Sequence, residues 1–150
     1  MKVQDQDLEL ARLKLIEEDL SLVIVKKRKV LFKTQKQGIK GFLEAIERLD
    51  KNLIAASAAD KIVGVAAAML CVYAGVTSVF ALTISEEGIK VLRDNNIAYR
   101  FEKTAPNILN RNKKDVCPFE KLAMTSGNSE EAYVKLKSCA NQIMGKSKES

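Results

Sequence analysis

The chain has 150 residues, 47% of them apolar and 29% charged, with a net charge of +6; this is the size and balance of one globular domain and excludes a disordered or fibrous chain. It contains no histidine, which excludes His-based triads, imidazole general bases and His-ligated metals. Aromatic residues are only 5% and tryptophan is absent, which argues against a platform that stacks nucleic-acid bases.

Taken in chain order, Asp5 to Leu20 is predicted to be an amphipathic helix, with Leu8, Ala11 and Leu15 on one stripe. Ser21–Lys26 and Lys29–Thr34 are β-branched runs that predict a hairpin, although the turn between them has neither Gly nor Asn. Gln37-Gly38-Ile39 breaks the strand, and Gly41 to Leu49 has helical spacing through Phe42, Leu43, Ile46 and Leu49. A short strand is expected at Ile54–Ala58, with Asp60 as the N-cap of a helix that runs to Ala74 and stops at Gly75. Val76–Ile84 reads as a strand. Ser85 caps the next helix, with Glu86 and Glu87 in its first turn, and Ile97–Lys103 follows as another strand. Asn107–Val116 is polar and loop-like. Pro118 opens a short helix to Met124, and Glu130–Met144 forms a terminal helix with a frayed tail, Gly145–Ser150.

The stretch from Ile62 to Ser85 carries no charge and is long enough to span a bilayer. Its first half is Ala-rich and its second half β-branched, divided by Gly75, so a helix followed by a buried parallel strand explains it better. Strand–helix–strand units imply right-handed crossovers and a parallel sheet, while the opening hairpin makes one strand antiparallel. The expected fold class is α/β: a three-layer α/β/α single domain around a five-stranded mixed sheet, flanked by the N-terminal helix (residues 1–20) and a C-terminal helix and tail (128–150).

Cys71, Cys117 and Cys139 are odd in number, far apart and free of any C-x-x-C spacing, so no disulfide framework or zinc knuckle is implied. Free thiols and an N-terminus without an apolar signal core suit a cytoplasmic protein. The positive charge is local: Lys26, Lys27, Arg28, Lys29, Lys33, Lys36 and Lys40 fall in a stretch without acids, which reads as a solvated hairpin face or a surface for a phosphate-rich partner.

Ligands of open α/β sheets gather at the carboxyl ends of strands. Gln37-Gly38-Ile39-Lys40-Gly41 and Ala59-Asp60-Lys61-Ile62-Val63-Gly64 stand at such junctions, where helix N-termini and the lysines favour anions. Gly64, read inside a helix, points to close packing or close ligand approach. Asn107, Asn110 and Arg111 form a polar cluster, with Arg111 suited to clamp a carboxylate or phosphate. Cys117, before Pro118-Phe119-Glu120, sits where a helix N-terminus favours a thiolate.

Ala59-Asp60-Lys61-Ile62-Val63-Gly64, Ala66-Ala67-Ala68-Met69-Leu70, Gly75-Val76, Asn107-Ile108-Leu109-Asn110-Arg111 and Cys117-Pro118-Phe119-Glu120 together resemble a prokaryotic family of small domains of unknown function, over Leu22 to Leu122. Val65 stands where that family leads one to expect lysine. The resemblance implies a cytidine deaminase-like fold. Zinc deaminases carry His or Cys followed by x-Glu at one helix start and Pro-Cys-x-x-Cys at the next. The corresponding starts here, Gln37-Gly38-Ile39-Lys40 and Ala59-Asp60-Lys61-Ile62, supply none of these, so neither zinc nor another cofactor is expected.

Three functions follow. The first is a domain that binds a small anionic or nucleotide-like ligand through Gly38, Lys40, Asp60, Lys61, Gly64, Asn107, Asn110, Arg111 and Glu120. The second is a metal-independent enzyme that uses Cys117 in thiol or sulfur chemistry. The third is a nucleic-acid-associated protein that uses the basic hairpin. No membrane partner is expected, and a homo-oligomer is compatible with all three.

Overall fold

The computed structural model describes residues 3–106 and 117–149, with side-chain surroundings for 5–106 and 117–142. Helix α1 (Val3–Glu17) precedes a hairpin of β1 (Leu22–Lys26) and β2 (Lys29–Thr34), then α2 (Lys40–Leu49), β3 (Ser57–Val63), α3 (Val65–Ala74), β4 (Ser78–Ser85), α4 (Glu86–Asp94), β5 (Ala98–Ala105), α5 (Pro118–Met124) and α6 (Ser129–Glu149). The sheet order is β2-β1-β3-β4-β5. β1 pairs antiparallel with both β2 and β3, and β3, β4 and β5 are mutually parallel. This is the five-stranded mixed sheet, opened by a hairpin, that the order of elements in the sequence implied.

Helices lie on both faces. α1 places Leu8, Ala11 and Leu15 on Val23, Val25, Ala59 and Phe80. On the other face, Phe42 and Ile46 of α2, Leu70 and Cys71 of α3, Leu92 of α4 and Leu136 of α6 pack over Ile24, Ala58, Val79 and Ala81. The uncharged stretch splits as expected into α3 and β4. Among the described residues no helix is long and apolar enough to cross a membrane.

Several boundaries differ from the sequence reading: α1 ends at Glu17 rather than Leu20, β4 begins at Ser78 rather than Val76, and β5 runs on to Ala105. The strand expected at Ile54–Ala58 is displaced to Ser57–Val63. Leu49 leads into a 3-10 turn over Asp50–Leu53, Ala55 takes a left-handed φ of 69°, and the chain becomes extended only where it meets Val25 of β1 and Ser78 of β4. Asp60 is therefore a mid-strand residue opposite Leu22, not a helix cap, and Gly64 is the N-cap of α3 rather than an interior residue. The tail read as frayed continues the backbone of α6 to Glu149, since each added residue of a formed helix gains one hydrogen bond. Ser85 does cap α4, accepting from the Gly88 N–H at 2.9 Å, and Gly75 closes α3 on the carbonyls of Cys71 and Val72.

The hairpin turn explains how a Gly-free sequence adopts a two-residue loop. Lys27 and Arg28 both take positive φ, 51° and 64°, the geometry of a type I′ turn, which costs about 1 kcal/mol or more per non-glycine residue. The buried carboxylate of Asp7, brought over by α1, accepts from both turn N–H groups at 2.9 and 2.8 Å. Asp7→Ala leaves both donors without this partner and is expected to lower stability by about 2 kcal/mol in urea unfolding. Adding Lys27→Asn and Arg28→Gly should recover about half of that loss. An Asp7→Ala protein as stable as the parent refutes this account of the turn.

Candidate functional site

A cleft of about 470 Å³ opens where β2 leads into α2, β3 leads into α3, and α5 begins. β3 ends there and the antiparallel β1 begins there, so it is the carboxyl edge of the parallel strands. Gly38, Lys40, Asp60, Lys61, Gly64, Cys117 and Glu120 all line it. Asn107, Asn110 and Arg111 lie outside the described residues.

The lysine and the aspartate of the Asp60-Lys61 pair point to opposite faces, as neighbours on a strand must. Lys61 reaches the α1 side and pairs with Asp19 at 2.9 Å. Asp60 stands on the α2/α3 side, half-buried, where its Oδ1 accepts from the Ile62 N–H at 3.3 Å. Burial pushes its carboxyl up to about 7, against the opposing pull of the Ile62 and Lys61 N–H groups. A carboxyl that changes protonation near neutrality in a cleft can give or take a proton there. Across from it, Gly38 takes φ 72° in the turn before α2, and Lys40, exposed, begins that helix.

The N-terminus of α3, expected to hold an external anion, is occupied from within. Glu120 of α5 is buried, and its two carboxylate oxygens accept from the Val65 and Ala66 N–H groups at 2.7 and 2.8 Å. This is why Gly64 is needed: a Cβ at that position would lie 2.5 Å from Glu120 Cδ. Burial raises the Glu120 pKa, opposed by the same two N–H bonds. The physics of an anion at a helix start holds, but the anion is a side chain of this chain.

Cys117 is the N-cap of α5, half-buried, at the edge of the cleft. Cys71 lies in the core, where burial foremost, then the charge of Asp60, pushes its thiol pKa up. Among the described residues, neither the start of α2 nor that of α3 carries a His, a Cys pair or another zinc-ligating set. Val65-Ala66-Ala67 stands at the start of α3, both oxygens of Glu120 face backbone N–H groups, and no cluster of three metal-ligating side chains occurs among the described residues. These residues do not fit a zinc site. The sequence reading did not single out the apolar lining from Ile39, Ile62, Ala67 and Phe119, because only the folded cleft brings those residues to one wall.

The Gly64–Glu120 contact is tested by a double-mutant cycle in urea. Glu120→Ala strips two buried N–H groups of their partner and is expected to cost about 2–4 kcal/mol, and Gly64→Ala, which must dislodge the carboxylate, about 2 kcal/mol or more. The double variant should cost clearly less than the sum, because the added methyl then fills the space that the carboxylate leaves. Strict additivity contradicts the contact.

The model of a family described as a domain of unknown function, DUF1893, matches residues 10–139. The crystal structure of a DUF1893 family protein, TM1506 from Thermotoga maritima, is 28% identical in sequence, superposes with a TM-score of 0.82, and is matched over 91% of this chain and 92% of that one. Weaker likenesses are to RibD of Acinetobacter baumannii, 19% identical at a TM-score of 0.47 over 67% of this chain and 34% of that one, and to dCMP deaminase of the cyanophage S-TIM5, 12% identical at 0.46 over 70% and 100%. No curated protein matches the chain. The family match runs beyond the Leu22–Leu122 stretch of the sequence resemblance, into α1 and α6. The chain belongs to the DUF1893 family.

Proposed function

We propose that this protein binds a small nucleotide-like molecule in the cleft, with Asp60 meeting the ligand's hydrogen-bond donors. The observation that carries this reading is the placement of a half-buried carboxyl with a pKa of about 7 in the wall of a roughly 470 Å³ cleft at the carboxyl edge of the sheet. Ile39, Ile62, Ala67 and Phe119 offer an apolar wall for a flat ring. With the start of α3 taken by Glu120 and Lys61 held by Asp19, an anionic end of the ligand goes to Lys40 and the start of α2.

Two features weigh against a nucleic-acid partner on the basic hairpin: Lys33 pairs with Glu18 and Lys36 with Glu44, so part of its charge is already neutralised. Thiol chemistry at Cys117 is the second reading, favoured by its position on the wall of the same cleft. Under that reading, bound ligand slows alkylation of Cys117 by iodoacetamide, and an unchanged rate removes it.

Amide-resolved NMR titration with a nucleoside monophosphate, the matching nucleoside and inorganic phosphate tests the proposal. The monophosphate is expected to shift Gly38, Lys40 and Ile62, and Lys40→Glu to weaken it roughly tenfold. Binding should tighten as pH rises through about 7, where Asp60 becomes an acceptor-only carboxylate, and should lose that pH dependence in Asp60→Asn. Absence of binding by all three at millimolar concentration rejects the ligand class.

Asp60 also sets an expectation for stability. Its folded pKa, about 7, lies above the ordinary 3.8, so the native state holds a proton that the unfolded state releases. That contribution is complete at low pH and is lost as pH rises through about 7. Asp60→Asn is therefore expected to be more stable than the parent by about 2 kcal/mol at mildly alkaline pH, with the gap closing toward acid pH in urea unfolding. A gap that does not vary with pH contradicts the raised pKa.

A further inference from the structure

Among the described residues β5 ends the sheet opposite the hairpin, hydrogen-bonded to β4 on one side only, and its eight residues are exposed or half-buried. An edge of this length is a template for a further strand unless charge or shape blocks it. The other edge, β2, carries Lys29 and Lys33 with no acid, a pattern that resists pairing with itself. β5 carries both signs, in an order that fits itself.

We propose that β5 is a self-association edge, pairing antiparallel with β5 of a second copy about a two-fold axis at Phe101 to give a continuous ten-stranded sheet. A two-fold axis perpendicular to a sheet sets residues of the same face opposite one another, so the sum of paired numbers is even and one residue meets its own copy. Centred on Arg100, Glu102 or Lys103, the pairing sets like charges directly opposite, which is destabilising. Centred on Phe101, it sets Arg100 opposite Glu102 of the second copy, twice, and Tyr99 opposite Lys103, also twice. The overlap then covers Ala98 to Thr104.

The surroundings of each side chain agree with this register. Arg100 and Glu102 lie on the α1 face, alongside Phe80, where Arg100 acts electrostatically on Glu9 and Glu102 on Arg12. The cross-copy pairs would extend that alternating charge network. Tyr99 and Phe101 lie on the opposite face, beside Val79 and Ala81, with rings stacked at 6.4 Å between centroids. Tyr99 packs partly into the core, whereas Phe101 is 41% exposed. Two-fold pairing covers Phe101 with its own copy, and the tyrosine faces accept Lys103 as a cation–π partner.

Sedimentation velocity across a concentration series tests the proposal, with circular dichroism confirming that each variant is folded. The parent is expected to form dimers. Arg100→Glu and Glu102→Arg, each placing like charges across the axis, are expected to raise the dimer dissociation constant by at least about tenfold. The charge-swapped double variant, Arg100→Glu with Glu102→Arg, restores opposite charges and should regain dimers near the parent level. A parent that stays monomeric throughout overturns the proposal. So do single variants that associate like the parent, or a double variant as weak as the singles.

Discussion

Two backbone N–H groups at the start of α3 find their acceptor in a side chain that arrives from α5, fifty-five and fifty-four residues further along the chain. A helix start needs acceptors for its first N–H groups, and here the Glu120 carboxylate, lying against Gly64, supplies them. The Glu120 carboxylate therefore ties the short α5 to the middle of the sheet. It fixes where β3 ends, and it closes one wall of the cleft. The consequence for chemistry is direct: the N–H groups at the start of α3, which would otherwise draw an external anion, are taken by an internal cap.

The same interaction explains the electrostatics of the cleft. With Glu120 of α5 against the start of α3 and Asp60 on β3, one side of the cleft is carboxyl-rich, and the positive features, Lys40 and the start of α2, lie on the other. Burial holds Asp60 near neutrality rather than fully ionised. A ligand with a donor edge at one end and an anionic group at the other matches this asymmetry better than a simple anion, which would meet Asp60 as it ionises.

Much of the architecture was legible in the residues because it follows from local patterns. The hairpin came from two β-branched runs, the break at Gly75 from left-handed stop chemistry, and the α4 cap from Ser85 with acids behind it. The order of strands and helices implied the mixed sheet with helices on both faces. Position-level errors came from long-range contacts. Asp60 looks like a helix cap in isolation, because an Asp before an apolar run is the ordinary signal. It is a strand residue because β1 and β4 extend the ladder through it, and the true cap acceptor comes from α5. Asp7 was unreadable for the same reason: nothing near residue 7 announces a turn twenty residues away. That Gly38, Lys40, Asp60, Lys61 and Cys117 line one cleft follows from element order, which sets these segments at one edge of the sheet; Asn110 and Arg111, expected with them, lie outside the described residues.

The account rests on Asp60 being a half-buried carboxyl of near-neutral pKa that faces a ligand. Following the Asp60 side-chain carboxyl carbon by NMR as pH is varied, without and with a nucleoside monophosphate, reads this at the atom concerned. The account predicts a midpoint near 7 in the free protein, displaced when the nucleotide is added. A midpoint in the ordinary carboxylate range that the nucleotide leaves unmoved would contradict it.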